Sequence, residues 1–169
     1  MNAEQFRSLH DRTARDLLGY LLRRALSAED AADCLAETFL IAWAKRNEIP
    51  LSEERARPWL FGVARNVLRR DRELKQRASS VVIELSRELA HNVAVARTSG
   101  PVTHALEQLS PLDREIIEML AWDKLSPREV ATILDLTPNV VRIRSHRARL
   151  RLRQHLATDS PDIAERATR

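Results

Sequence analysis

Two clusters rich in arginine are the most distinctive functional groups of this sequence. Clustered arginines are suited to binding a polyanion. Residues 142–153 hold six arginines and no acid, and residues 65–77 hold six basic residues against two acids. These two stretches carry a formal charge of +10 in a chain of net charge +4, so the remaining residues sum to −6. Two separate basic stretches on an otherwise acidic chain indicate two contacts with a polyanion. The alternative is that arginines at helical spacing form a solvated face.

Groups that would catalyse a reaction or hold a metal are not evident. The five histidines show no H-x-x-x-H or carboxylate spacing, and the single cysteine, Cys34, excludes an internal disulfide framework and a cysteine-based zinc site. The residues also show no pairing of a nucleophile with a base. We therefore expect no enzymatic activity, no cofactor and no metal site.

The composition predicts an all-α protein. The chain has 169 residues, of which 44% are hydrophobic and 31% charged, as in a folded protein. Three glycines are too few for the tight turns of a sandwich or barrel, and good helix formers dominate. No apolar run approaches the roughly 18 residues that span a membrane. We expect a cytoplasmic protein with no direct membrane insertion.

The N-terminal half reads as helices separated by one loop. Two helices are expected within residues 5–46, and Ser27 with Asp30 resembles the N-cap of the second. Residues 48–56 contain a proline and read as a loop, after which a helix resumes at Pro58.

The order of patterns predicts two small helical domains joined by a linker, with a short tail. Residues 78–100 hold only two basic and two acidic residues and end in Thr98-Ser-Gly-Pro101, which is typical of a linker. Alternatively, the segment could form a short helix or dock in a groove through Val81, Val82, Ile83, Leu85 and Leu89. The predicted division is an N-terminal domain at 1–78, an interdomain linker at 79–101, a C-terminal domain at 102–156 and a tail at 157–169.

The C-terminal domain carries the signature of a helix-turn-helix. Ser110, Ser126 and Thr137 each precede a proline, which is the pattern of a hydroxyl N-cap before a proline at the first helical position. A short helix from 126 would turn at Asp135 into a longer basic helix. The outer face of that helix would present groups that can reach base edges and phosphates in a major groove, namely Asn139, Arg142, Ile143, His146 and Arg147.

Two motif blocks together resemble the extracytoplasmic-function branch of bacterial RNA polymerase sigma factors. The first block is DAADCLAETFLIAW at residues 30–43 with PWLFGVARN at 58–66. The second is LSPLDREII at 109–117, with SPREVA at 126–131 and VRIRSHRAR at 141–149. The resemblance implies a non-catalytic factor that lends promoter recognition to core RNA polymerase.

The resemblance also implies a role for each block. The clamp coiled coil of the polymerase would be gripped by Asp33, Glu37, Phe39 and Trp43. The −10 promoter element would be read and melted by Trp59, Phe61, Arg65 and Asn66, with Arg69 and Arg70 holding the separated strands. The −35 element would be read by the outer face of the last helix, Asn139, Arg142, Ile143, His146 and Arg147. A cognate anti-sigma factor is a further expected partner, beside core polymerase and promoter DNA.

Some of these residues allow a second interpretation or depart from the family pattern. Phe61 and Trp59 could instead be core residues. The acids of the first block could likewise be an ordinary solvated face, with Phe39 and Trp43 in the core. Gly62 stands where the family often has arginine, and Asp135 occupies a turn position that usually holds glycine. Aspartate tolerates the left-handed conformation better than most residues.

Two other functional classes compete with the sigma reading. One is a polymerase-independent helix-turn-helix transcriptional regulator, which would need a different N-terminal domain, such as an α/β receiver. The other is a helical interaction protein that binds no nucleic acid. Strong salt dependence of promoter binding would count against the second.

Overall fold

The computed structural model describes the backbone of residues 1–86 and 101–159 and the side chains of residues 1–77 and 101–156. Over these ranges the chain is entirely helical, as the composition predicts. The helices are α1 (Ala3–Leu22), α2 (Ala28–Ala44), α3 (Glu53–Ser86), α4 (Pro101–Glu107), α5 (Pro111–Ala121), α6 (Pro127–Leu134) and α7 (Pro138–Asp159). They fall into two compact units, one built on α1–α3 and one built on α4, α5 and α7 together with the start of α6.

In the first unit, α2 and α3 pack against α1 and against each other. The predicted cap of α2 is confirmed, because the Ser27 hydroxyl accepts a hydrogen bond from the Asp30 amide at 3.0 Å. Each helix buries a stripe at three- and four-residue intervals, as an amphipathic helix requires. The buried stripe of α3 consists of Leu60, Phe61, Ala64, Val67 and Leu68.

The predicted loop at residues 48–56 ends too late. The helix begins at Glu53 rather than at Pro58, because the Ser52 carbonyl accepts the amides of Arg55 at 3.0 Å and Ala56 at 2.9 Å. Acids at 53 and 54 favour the helix N-terminus electrostatically. Pro58 then lies in the second turn, where it removes one backbone hydrogen bond without ending the helix.

The predicted linker at 79–101 overlaps the end of this helix. α3 continues to Ser86, and α4 begins at Pro101. Residues 87–100, which make up most of that linker, lie outside the described residues. The same holds for residues 160–169 of the predicted tail, whereas its first residues belong to α7. The proposed domain boundaries therefore stay predictions.

In the second unit, all three predicted helix starts are confirmed. Ser110 and Ser126 cap α5 and α6, and each is followed by a proline in the first turn. At α6 the cap is reciprocal, since the Glu129 carboxylate also accepts the Ser126 amide at 2.8 Å. The Thr137 hydroxyl accepts the Val140 amide at 3.3 Å at the start of α7.

The turn between α6 and α7 depends on one left-handed residue. Asp135 has φ 54° and ψ 47°, and its amide bonds to the Ala131 carbonyl. This conformation ends α6 and redirects the chain into α7, which makes the pair a helix-turn-helix. Val141 and Ala148 of α7 are fully buried, and Ala148 packs with residues of α4 and α5.

A lysine fastens the start of α2 to α3 in the first unit. Lys75 Nζ lies 2.5 Å from the Asp30 carboxylate of α2 and 2.9 Å from the Asp71 carboxylate of α3. The hydrogen bond from Lys75 is the largest cause that lowers the pKa of Asp30 below its usual 3.8. The same contacts raise the pKa of Lys75 above 10.5, with the bond to Asp30 the largest cause.

We predict that Lys75→Met lowers the free energy of unfolding by about 1 kcal/mol at pH 7, the upper end for partly exposed ion pairs. Because the pKa of Asp30 is lowered in the folded state, its stabilising contribution is present above pH 3.8 and is lost as the pH falls through the folded value. Because the pKa of Lys75 is raised, its contribution is lost above pH 10.5. Urea unfolding of the wild type and the variant between pH 3 and 11 measures both edges.

The matched control is Lys45→Met, which breaks the exposed pair of Lys45 with Glu48 at 3.3 Å. We expect this control to change stability by less than about 0.5 kcal/mol. Equal losses for the two variants, or a Lys75 effect that does not shrink in acid, would contradict the assignment.

Candidate nucleic-acid and protein interfaces

The outer face of α7 gathers all five residues that were predicted to read the −35 element. Their spacing of three and four residues places Asn139, Arg142, Ile143, His146 and Arg147 on one side of the helix, and every one of them is exposed. The opposite side is buried through Val141, Ser145 and Ala148. This face combines cationic, amide and imidazole groups with one exposed isoleucine, so it can offer hydrogen bonds and an apolar contact to a groove.

The six arginines of residues 142–153 do not all lie on that face. Arg144 and Arg151 pair with the buried carboxylate of Asp113 on α5. Arg151 keeps 55% of its side chain exposed despite this contact. The other four are exposed as well, namely Arg142, Arg147, Arg149 and Arg153. Residues 142–153 contain no acid, but the fold brings the carboxylate of Asp113 on α5 against two of their arginines.

One face of α3 gathers most of the residues that were predicted to act on the −10 element. Trp59, Asn66, Arg69 and Arg70 fall within about a quarter turn of one another at the 100° step of an α-helix. Asn66, Arg69 and Arg70 are exposed, and Trp59 and Arg65 are partly buried. Gly62 lies on the same side, and a Cβ at this position would meet nothing within 4 Å. Packing therefore does not require glycine there.

Phe61 does not belong to this face: it lies in the core, which is the alternative that the sequence left open for it. The side chain is fully buried, with its ring edge-to-face on Tyr20 at 5.5 Å and the Arg57 guanidinium 5.2 Å from the ring centre. Phe61 is two positions from Trp59, so the helix turns it to the core side. A ring in this position cannot stack on a base without unfolding the unit.

The predicted docking residues of α2 divide between its outer face and its border with α1. Asp33 and Glu37 are one turn apart on the outer face. Phe39 and Trp43 lie at the border, where the Phe6 ring of α1 is 6.4 Å from Phe39 and 5.0 Å from Trp43. Trp43 nevertheless remains 40% exposed.

Leu40 is a surface residue of α2 that the sequence analysis missed. It is 70% exposed, and its register places it between Glu37 and Trp43 on the outer face. Together with the partly exposed Trp43, it gives the outer face of α2 an apolar patch beside the acids. The sequence could have shown this, because Leu40 is three residues from both Glu37 and Trp43. That spacing places it outside the buried stripe of Cys34, Thr38 and Ala42.

A second ion pair between α2 and α3 lies on their outer faces. Arg70 Nη1 lies 3.5 Å from the Glu37 carboxylate, so a predicted DNA-binding residue contacts a predicted docking residue. Both side chains are well exposed, at 72% and 46%. A pair this exposed is worth at most about 1 kcal/mol, so either partner can be released by a binding event.

Other reactive groups in the described residues do not form a site. Cys34 is buried, and burial is the largest cause that raises the pKa of its thiol, so the reactive thiolate is disfavoured. The described residues contain no group of three or more side chains suited to hold a metal ion. None of the helices, as far as they are described, is long and apolar enough to cross a membrane.

We predict that Phe61→Ala lowers the free energy of unfolding by about 3–5 kcal/mol, because it removes a fully buried ring. Trp59→Ala, the matched aromatic control on the outer face, loses less because its ring is already partly solvated. Urea unfolding measures both losses. A loss at Phe61 no larger than that at Trp59 would show that the Phe61 ring is not a core element.

Comparison with known proteins finds two family matches. Residues 9–78 match Sigma-70 region 2, and residues 99–152 match Sigma-70, region 4. The first match extends from α1 into α3 and includes the basic stretch at residues 65–77. The second match includes the helix-turn-helix of α6 and α7.

Several sigma factors are similar to most of the chain. The ECF RNA polymerase sigma factor SigL of Mycobacterium tuberculosis is 33% identical over 153 residues, which cover 86% of this chain and 85% of SigL. The RNA polymerase sigma factor CarQ of Myxococcus xanthus is 27% identical over 165 residues, covering 95% and 94% of the two chains. The solved structure of CnrH in complex with the cytosolic domain of CnrY has a TM-score of 0.64 and 26% identity, covering 94% of this chain and 92% of CnrH.

Proposed function

The chain belongs to the extracytoplasmic-function sigma factors of bacterial RNA polymerase, and from that membership we propose how its surfaces share the work of promoter recognition. As an RNA polymerase sigma factor it binds core polymerase and promoter DNA. Sigma factors are in general non-catalytic initiation factors. The region 2 match at residues 9–78 favours this function over a polymerase-independent regulator, which would need a different N-terminal domain.

The outer face of α7 would read the −35 element in the major groove. The observation that carries this proposal is the common exposure of its five residues opposite a buried stripe. Arg147 and Arg142 can donate to guanine edges or phosphates, and Asn139 can pair with an adenine edge. Ile143, which is 44% exposed, would pack on thymine methyl groups and bias the preferred sequence.

The outer face of α3 would hold the melted −10 element. Extruding a base costs a few kcal/mol, which stacking on an aromatic face and hydrogen bonds to the base edge can offset. Trp59 offers that face, and Asn66 offers a donor and an acceptor to a base edge. Arg69 and Arg70 would contact the backbones of the separated strands. Phe61 lies on the buried side of α3, where it packs on Tyr20 and so helps to hold the outer face in this orientation.

The outer face of α2 would dock on the clamp coiled coil of the polymerase. Asp33 and Glu37 give it negative charge, which steers association with a basic partner. Leu40 and Trp43 supply the apolar contact that such an interface needs at its centre. Because Glu37 also holds Arg70, docking at this face would loosen an arginine that the −10 DNA needs.

An anti-sigma factor is the further partner that we propose. CnrH was solved in complex with the cytosolic domain of CnrY, and the sigma factor RpoE was solved in complex with the anti-sigma factor NepR from Bartonella quintana. By analogy, a protein of that kind would restrain this chain until its signal arrives. Since a sigma factor acts on the polymerase, we place its action in the cytoplasm.

We predict that Leu40→Arg weakens binding to core polymerase about tenfold or more, because it places a positive charge on the docking face and removes an apolar contact. Leu51→Arg is the matched control, since Leu51 is 82% exposed in the connection between α2 and α3. Titration of purified core polymerase with fluorescently labelled chain measures both. Equal affinities for the two variants would place the docking surface elsewhere.

We predict that Arg147→Ala and Asn66→Ala impair different steps of initiation. A promoter is first selected from a random library by transcription with core polymerase and the wild-type chain. On it, Arg147→Ala should reduce binding about tenfold, and scrambling the −35 element should add little further loss. Asn66→Ala should leave binding to the duplex intact and reduce permanganate reactivity of thymines in the −10 element.

Gln76→Ala, an exposed change on the same helix as Asn66, serves as the control and should leave both steps unchanged. No transcript from any template with the wild-type chain would refute the sigma function itself. Intact initiation by both variants would refute only the residue assignments.

A further inference from the structure

A buried carboxylate joins α5 to the helix that faces the DNA. Asp113 is the third residue of α5 and only 6% exposed, yet its two carboxylate oxygens face two arginines of α7. We propose that Asp113 is a positioning residue that fixes the rotation of α7 about its own axis and keeps Arg144 and Arg151 off the DNA. This proposal rests on the proposed recognition of the −35 element by α7.

The geometry divides the carboxylate between the two arginines. Arg144 Nε lies 2.9 Å from Oδ1, close enough for an ion pair although it is not aligned as a hydrogen bond. Arg151 Nη1 donates to Oδ2 at 3.3 Å. The Asp113 amide bonds to the Ser110 hydroxyl at 3.2 Å, so the acid is held at its own helix by the N-cap. A fixed acid therefore meets two cations from one partner helix.

The register of α7 makes this contact sensitive to rotation. Arg144 and Arg151 are seven residues apart, which places them about 20° from each other around the helix. A rotation by one residue would put Ser145 and Leu152 in their place, and neither can neutralise a carboxylate. A buried carboxylate without a cation is strongly unfavourable. The pair of contacts thus selects one rotation of α7.

The selected rotation decides which arginines can reach DNA. The five residues of the reading face are centred roughly a third of a turn from the Arg144–Arg151 side. Four arginines remain exposed outside the Asp113 cluster, where the sequence alone suggested six. Each phosphate neutralised on duplex DNA steepens the slope of log affinity against log salt by about 0.9, so the two populations of arginine are distinguishable in solution.

The test measures promoter binding by holoenzyme reconstituted from core polymerase and the full chain, at several salt concentrations. Arg147→Gln should lower the steepness of the salt dependence by about 0.9, because it removes a phosphate or base contact. Arg151→Gln should leave the steepness unchanged, because Arg151 is held by Asp113. Arg144 still faces Asp113 in that variant, so the unit keeps a cation beside its buried acid.

Asp113→Asn should release both arginines and loosen the register. We expect a steeper salt dependence and an approximately tenfold smaller ratio of affinities for the intact and the scrambled −35 element. Asp113→Glu keeps the charge and should restore part of that ratio, which a purely structural loss of stability would not do. Thermal unfolding by circular dichroism identifies variants that are unfolded at the assay temperature.

Arg151→Gln lowering the steepness as much as Arg147→Gln would overturn the inference, since Arg151 would then contact DNA. An unchanged affinity ratio in folded Asp113→Asn would overturn it as well. A wild-type holoenzyme that ignores the −35 element would instead refute the proposed −35 reading, and the inference with it.

Discussion

The buried stripes of α3 and α7 hold each helix at a fixed rotation about its own axis. In α3, Leu60, Phe61 and Ala64 are fully buried in the unit that this helix forms with α1 and α2. An α-helix advances 100° per residue, so fixing those side chains inward fixes Asn66, Arg69 and Arg70 outward. The core therefore sets the direction of the side chains that would meet melted DNA. A substitution of one of these buried residues is therefore expected to affect promoter melting, although the residue itself does not contact DNA.

Ion pairs between helices add to the constraints that packing places on the charged side chains. Opposite charges from separate helices meet at Asp113 with Arg144 and Arg151, at Lys75 with Asp30, and at Arg70 with Glu37. The acid of the first cluster is the most buried of the three, whereas the last pair is exposed and weak. The basic side chains of α3 and α7 thus fall into those that hold the fold and those that remain available to a partner. Net charge along the sequence cannot separate the two groups.

Local signals carried most of what could be predicted. The caps at Ser27, Ser126 and Thr137 involve neighbours within three residues, so the sequence contains both partners of each contact. The exposure of the α7 face followed from the helical period in the same way. What the sequence leaves open concerns partners that are distant in sequence. The burial of Phe61 depends on Tyr20, and the neutralisation of Arg144 depends on Asp113, 31 positions away.

We assign the outer face of α3 to the −10 element and the outer face of α7 to the −35 element. Crosslinking can test this claim with a benzophenone attached to a cysteine introduced by Asn66→Cys or Ile143→Cys. The native Cys34 is buried and should not be labelled. In holoenzyme on a promoter, the probe at 66 should crosslink to the −10 element and the probe at 143 to the −35 element. Crosslinks from both probes to one element, or from neither to DNA, would contradict the claim.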